Sequence, residues 1–133
     1  MSATLALTAQ DQLTVRTAAY GAVCLLAAGS HKPHRAATAG STALLSATGM
    51  VGHVLAAKSK DIELAGKSVA ALADQVLPAL TAAVTLLEQS DPAEADNFRT
   101  TVQVAIEAAT AEVHPGPVTT EMIRKITAAL HAA

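Results

Sequence analysis

Alanine is the residue that most constrains the fold of this chain, because it supplies 32 of the 133 residues. Alanine loses no side-chain entropy in a helix, whereas strands favour β-branched and aromatic residues. Aromatic residues make up only 2% of the chain, namely Tyr20 and Phe98. The composition therefore predicts an all-α protein and excludes a β-sandwich or β-barrel. A hydrophobic content of 51% also excludes a disordered chain.

Breaks in the hydrophobic pattern divide the chain into five predicted helices. These cover residues 9–28, 34–58, 60–89, about 91–113 and 120–131. Short breaks favour antiparallel neighbours, and the length suits one domain. We therefore expect a single helical domain over residues 1–133, built as an antiparallel bundle of four to five helices. Pro78 lies inside the third predicted helix, where the loss of one backbone hydrogen bond predicts a kink or a split.

Two predicted helices begin with clear capping signals. Thr8 is a candidate N-cap for the first helix, and Asp11 lies in its first turn, where the helix dipole favours an anion. Ser90 or Asp91 caps the fourth helix, and Pro92 suits its first position.

Charge is unevenly distributed along the sequence. Residues 17–57 contain only Lys32 and Arg35 as permanent charges, whereas residues 58–133 carry six basic and ten acidic residues. A helix that is apolar on all sides is buried or lies at an interface. We therefore expect the hairpin of the first two predicted helices to be the most enclosed part and to form a two-fold homodimer interface. The candidate interface residues are Val23, Leu26, Ala43, Ala47, Met50 and Val54. In the alternative arrangement, the other three helices cover both members of the hairpin.

The composition also predicts which partners and compartments to exclude. Residues 36–57 are long enough to span a bilayer, but nine of these 22 positions are Ser, Thr, Gly or His, so we predict no membrane span. A net charge of −2 gives no basic face for nucleic acid. The single cysteine, Cys24, excludes an internal disulfide bond and fits a reducing compartment. We therefore expect a cytoplasmic protein.

A second interpretation is a bundle that binds a small apolar ligand between its helices. Small alanine and glycine side chains leave room for such a cavity, and pockets between bundle helices are common. The candidate lining residues are Tyr20, Cys24, Leu44, His53 and Val76. For Cys24, inert packing among apolar neighbours is the alternative to a reactive thiol, which needs a positively charged and accessible setting.

A third interpretation, an enzyme, rests on histidines. Helix register places His53 near Asp11, with His114 in the same layer, and an Asp–His pair can act as a general base. His31 and His34 lie in a break that the bundle order places near three carboxylates, a combination that can bind zinc. Those carboxylates belong to Glu88, Asp91 and Glu94.

Each histidine site also has an explanation without function. His53 is then a hydrogen-bonded, half-buried side chain, and His31 and His34 lie in a solvated loop. The sequence contains no H-E-x-x-H, G-x-S-x-G, C-x-x-C or phosphate-binding glycine motif. We therefore predict a non-enzymatic helical interaction protein that forms a homodimer, with no metal and no cofactor.

Overall fold

The computed structural model describes residues 7–57, 64, 68–111 and 115–132. Within this part of the chain six α-helices form and no residue is in a strand. They are α1 (Ala9–Ala28), α2 (Pro33–Leu45), α3 (Gly49–Ala56), α4 (Val69–Ser90), α5 (Pro92–Thr110) and α6 (Pro117–Leu130). The prediction of an all-α protein is confirmed, with six helices instead of the expected four to five.

Helix α1 is the centre of the fold and packs against each of the other five helices. Its apolar residues are spread around the whole circumference, so half of its 20 residues are buried. Its predicted start is confirmed, since the Thr8 hydroxyl accepts a hydrogen bond from the Asp11 amide over 3.0 Å. The Asp11 carboxylate accepts in turn from the Thr8 amide over 3.1 Å, which completes a capping box.

Glycine allows two helices to approach their neighbours closely. A Cβ atom at Gly21 of α1 would lie 2.5 Å from Val76 Cγ2 of α4, and one at Gly40 of α2 would lie 2.8 Å from Val23 Cγ1 of α1. Both distances are shorter than the closest approach of two non-bonded carbon atoms. Close packing therefore explains why glycine is present in these helices despite its low helix propensity.

The prediction of one continuous helix over 34–58 is wrong, because the chain leaves the helix at Ser46 and re-enters it at Gly49. Within one chain only Ala36, Gly40 and Leu44 of α2 are buried, so its own chain encloses α2 less than α1. One side of α2 packs against α1 and α5, while its other side faces solvent. Residue 58, the last of the predicted helix, lies outside the described residues.

The third predicted helix begins later than expected and does not split. Ser68 caps α4, and its hydroxyl accepts a hydrogen bond from the Ala71 amide over 3.0 Å. Leu64 is not helical, and residues 60–63 and 65–67 lie outside the described part of the chain. The helix continues through Pro78, which is exposed like Asp74 four residues before it, so water can satisfy the carbonyl that the proline leaves without a partner.

The last two predicted helices are confirmed with shifted ends. Helix α5 starts at Pro92 after the Asp91 cap and ends at Thr110, and residues 112–114 lie outside the described chain. Helix α6 begins at Pro117, three residues before the predicted start. Each of the six described helices places a large, fully buried side chain in the core, including Val51 and Leu55 of α3. The largest of these include Phe98, Leu25, Leu26, Leu44, Leu80, Leu87, Ile126 and Leu130.

One described helix, α4, is long and apolar enough to cross a membrane by the measures of length and composition, with a mean hydropathy of 1.6. The same properties are typical of a helix in a bundle core, and a single such helix is weak evidence of a span. Val76, Leu80 and Leu87 of α4 are completely buried inside the chain.

Candidate interaction surface

The six predicted interface residues divide into two groups. Val23, Leu26 and Val54 are 2%, 1% and 3% exposed and lie in the core of the chain itself. Val23 and Leu26 are covered because other helices surround α1, and Val54 is a buried residue of α3. Ala43, Ala47 and Met50 are only partly buried, near the junction of α2 and α3. Among the predicted residues, the accessible surface is therefore limited to this junction.

A groove of about 210 Å³ lies between the α2–α3 junction and α5. It is lined by Ala43, Ser46, Ala47 and Thr48 on one side and by Asn97, Thr100, Thr101 and Val104 on the other. None of these eight side chains is charged. We call this the docking groove. Its alanines leave space, and its threonines and asparagine make the rim polar.

One exposed apolar side chain lines the docking groove, and a second lies at the end of α2. Val104 on the α5 side is 44% exposed, and Leu45, next along the chain to the lining residue Ser46, is 57% exposed. The other two large apolar side chains exposed in the described chain are Val69 and Val118, which lie at the starts of α4 and α6. An uncharged groove that contains apolar and polar side chains is compatible with a protein interface, whose core is depleted in charged residues.

Two further open grooves among the described residues have charged walls. One, of about 600 Å³, is lined by Lys32, Pro33, His34, Arg35, Thr38 and Ala39. The other, of about 420 Å³, is lined by Asp96, Arg99, Thr100, Gln103, Val104, Glu107 and His131. Interface cores are depleted in charge, so the docking groove suits a protein partner better than either of them.

Hydrogen bonds from α5 fix the wall of the docking groove that the α2–α3 junction forms. The Asn97 side-chain amide donates to the Thr48 carbonyl over 2.8 Å, and the Val51 amide donates to Glu94 Oε1 over 3.0 Å. Gly49 adopts φ +72°, a left-handed conformation that favours glycine. The start of α3 is therefore positioned by side chains that lie more than forty residues away in the sequence.

The predicted histidine–carboxylate cluster does not form. His31 and His34 are exposed, whereas Glu94 is bonded to the start of α3 and Asp91 accepts from the Ala93 amide over 3.0 Å at the start of α5. Glu88 forms an ion pair with Arg99 at 3.1 Å. The described residues contain no group of three or more His, Cys, Asp or Glu side chains placed to hold a metal ion.

His53 is exposed and makes no hydrogen bond or ion pair with the described part of the chain. Asp11, its predicted partner, accepts a hydrogen bond from the Thr8 amide in the α1 capping box. His114 lies outside the described residues. The structure therefore does not bring His53 and Asp11 together as an acid–base pair.

The predicted ligand-binding residues are used mainly in packing. Leu44 and Val76 are fully buried, and the Tyr20 hydroxyl donates to the Leu55 carbonyl over 2.8 Å. Burial raises the pKa of Tyr20, an effect that the nearby Arg16 charge partly offsets. Burial also raises the pKa of the half-buried Cys24 thiol, which disfavours the reactive thiolate.

None of the five predicted ligand-binding residues lines any of the three open grooves. A fourth concavity, between Leu26, Gly29 and Thr119, holds about 10 Å³, which is room for roughly one water molecule. The five side chains therefore line none of these four concavities of the described residues.

Sequence reasoning missed the α5 side of the docking groove. The available signal was Val104, an apolar residue among the polar residues Thr100, Gln103 and Glu107 of the solvated face. One isolated apolar residue is ordinary at a protein surface, and its meaning comes from the groove beside it.

Comparison with protein-family models, with curated proteins and with solved structures finds no match to this chain. Function is therefore inferred from the residues themselves.

Proposed function

We propose that this chain is a non-enzymatic helical interaction protein that forms a homodimer through the docking groove and the adjacent Leu45. The observation that carries the proposal is the uncharged lining of the groove, which includes the exposed Val104, together with the exposed Leu45 at the end of α2. The interface that we expect on the hairpin of the first two predicted helices is therefore limited to the solvent-facing surface of that hairpin. Helix α1 is covered by its own neighbours, so contact with a partner falls to α2, the α2–α3 junction and α5.

A second copy of the chain is the partner that this surface favours. In a two-fold interface each copy presents the same patch, so the patch must carry both a projecting group and a site that receives it. Leu45 is an exposed apolar side chain at the end of α2, and the docking groove, which Ala43 and Ala47 help to line, begins at the same end of that helix. One patch therefore supplies both halves of a self-complementary contact.

The proposal also includes an antiparallel order of successive helices and a water-soluble, cytoplasmic protein that does not bind nucleic acid. A single residue, Asp91, separates α4 from α5, and four residues separate α1 from α2. Connections this short favour antiparallel neighbours. The net charge of −2 supports the exclusion of nucleic acid.

A charge placed at Leu45 tests the proposed dimer. Leu45 ends α2, where the helix dipole accepts a cation, so Leu45→Lys changes the patch without opposing the helix. The matched control is Val118→Glu, which places an anion in the first turn of α6, where the dipole also accepts it. Val118 is 67% exposed and does not line the docking groove.

Sedimentation equilibrium measures the outcome for both variants, and far-ultraviolet circular dichroism checks that they fold. We expect Leu45→Lys to raise the dimer dissociation constant by about tenfold or more, because a buried charge without a partner is costly. Val118→Glu should dimerise like the unmodified chain. Equal dissociation constants for Leu45→Lys and the unmodified chain would contradict the proposed surface.

Filling the docking groove gives a second, independent test. Thr100→Trp places a large ring in the groove from an exposed position on α5, and Thr85→Trp places the same ring at an exposed position on α4. We expect the first variant to weaken the dimer and the second to leave it unchanged. If both variants dimerise equally well, Leu45 does not enter the groove.

A further inference from the structure

We infer that Glu94 and Asn97 of α5 are positioning residues that hold the start of α3, so that the docking groove exists only while α3 is held. The inference rests on the proposed function, because it assigns a means of regulation to the same groove. We call the side chains of Glu94 and Asn97 the α5 clamp.

Helix α3 lacks a cap of its own. Thr48 is its N-cap residue, but the Thr48 side chain makes no capping hydrogen bond. Val51 is the third residue of α3, and an N-cap side chain ordinarily accepts a hydrogen bond from the amide at this position. In this chain the Val51 amide donates instead to Glu94 Oε1 over 3.0 Å. With eight residues, α3 is far shorter than a helix that is stable alone in water. Its order therefore depends on tertiary contacts: α5 holds the start of the helix, and the Tyr20 hydroxyl of α1 donates to the Leu55 carbonyl near its end.

Asn97 joins the clamp to the docking groove. Its side-chain amide donates to the Thr48 carbonyl over 2.8 Å and to Glu94 Oε1 over 3.3 Å. Asn97 Oδ1, the side-chain carbonyl oxygen, accepts a hydrogen bond from the Thr101 hydroxyl over 3.5 Å. Asn97, Thr48 and Thr101 all line the docking groove. The hydrogen bonds that hold α3 are therefore the same ones that fix the groove wall.

Gly49 lets the clamp close on the backbone. A Cβ atom at this position would lie 2.9 Å from Glu94 Oε2, closer than a side chain tolerates. The φ of +72° at Gly49 also turns the chain from the junction into α3. Both features suit a carboxylate that sits directly against the first turn of α3.

Release of the clamp loosens part of one wall of the groove and leaves most of the core in place. The part that loosens is Ala47 and Thr48, which lie between the end of α2 and the clamped start of α3, whereas Ala43 of the same wall belongs to α2. Nine of the twelve largest fully buried side chains belong to α1, α4, α5 and α6, and only Val51 and Leu55 belong to α3, so loosening of the start of α3 is a local event. Partner binding and α3 order are thus coupled, each favouring the other.

The test compares Glu94→Ala and Asn97→Ala with Glu107→Ala, which removes a carboxylate from an exposed position on the same helix. Hydrogen exchange of the Val51 amide reports the clamp, and sedimentation equilibrium reports the dimer. A hydrogen bond to a charged group corresponds to about a ten- to hundredfold change in an opening equilibrium. We expect Glu94→Ala to speed Val51 exchange by this factor, to leave exchange in α1 unchanged, and to weaken the dimer.

Asn97→Ala should weaken the dimer in the same direction, and Glu107→Ala should change neither measurement. Unchanged Val51 exchange in Glu94→Ala overturns the clamp. Faster exchange with an unchanged dimer overturns the coupling between α3 and the groove. A monomeric unmodified chain overturns the proposed function and the coupling together, while the exchange measurement still decides whether Glu94 holds α3.

Discussion

Val76 of α4 packs directly over Gly21 of α1, where a Cβ atom would lie 2.5 Å from Val76 Cγ2. Val76 is completely buried, so its methyl groups have little freedom to move aside. The contact brings the central helix and α4 closer than any larger residue at position 21 would permit.

Gly21→Ala should therefore destabilise the protein, although alanine ordinarily favours a helix. Overpacking of a well-packed core costs about 1–3 kcal/mol, which exceeds the gain in helix propensity of about 1 kcal/mol. Urea unfolding measures the change. Gly116→Ala is the control, because nothing lies within 4 Å of a Cβ atom at that position.

The double variant Gly21→Ala, Val76→Ala tests whether overlap between the new Cβ atom and the Val76 methyl groups causes the loss of stability. Removing the valine methyl groups makes room for the new Cβ, so the two changes should be strongly non-additive. Additive changes, or a Gly21→Ala variant as stable as the unmodified chain, would show that the two helices are not in such close contact.

Arg99 joins three helices. Its Nε donates to the Leu130 carbonyl of α6 over 3.0 Å, and its terminal nitrogens reach Asp96 of α5 at 2.8 Å and Glu88 of α4 at 3.1 Å. The side chain is 17% exposed, so these interactions are partly shielded from water. The charged groove between α5 and α6 is thus held by a structural ion-pair network.

We expect Arg99→Ala to lower the free energy of unfolding by about 1–3 kcal/mol, because charge-assisted hydrogen bonds are lost and a helix end is left open. Arg99→Lys should recover part of this loss, since lysine keeps the charge but not the planar set of donors. Thermal unfolding checks both variants. Arg124→Ala breaks an exposed pair with Glu121 and should leave the midpoint unchanged. Equal effects of Arg99→Ala and Arg124→Ala would contradict this assignment.

The Cys24 thiol should react slowly in the folded chain. Burial raises its pKa above the ordinary 9.0, so less thiolate is present at neutral pH and access is also reduced. Alkylation with iodoacetamide should therefore be slower in native protein than in urea-unfolded protein. Equal rates in the two states would overturn the packing role of Cys24.

The raised pKa of Cys24 also predicts the direction in which stability changes with pH. The pKa of Cys24 is higher in the folded state than in the unfolded state. Its contribution to the free energy of unfolding is therefore fully present below about pH 9 and is lost as the pH rises through the folded pKa. Tyr20 acts in the same direction at higher pH, since burial raises its pKa too. The unfolding midpoint should thus fall on the alkaline side, and less steeply in Cys24→Ala. An equally steep fall in that variant would remove Cys24 as a cause.

Local signals in the sequence were enough to predict α1. Its observed limits, Ala9–Ala28, match the prediction because the Thr8–Asp11 capping box and Gly29 act on their own neighbourhood. The start of α5 was predictable for the same reason, from Asp91 and Pro92.

The break between α2 and α3 was not predictable from local pattern. Residues 34–58 have helical spacing throughout, and the interruption is fixed by Glu94 and Asn97, which are distant in sequence. The same limit applies to the predicted interface. Apolar periodicity shows that Val23 and Val54 are buried, but it does not show whether the chain itself or a partner covers them. Tertiary packing decides both questions.

The central claim is that the chain associates with a second copy of itself, and the mass of the unmodified protein in solution tests this most directly. Light scattering coupled to size-exclusion chromatography at micromolar concentration should give twice the chain mass of 13.4 kDa. Dilution should shift this species toward the monomer. A single 13.4 kDa species across the same concentration range would contradict the claim.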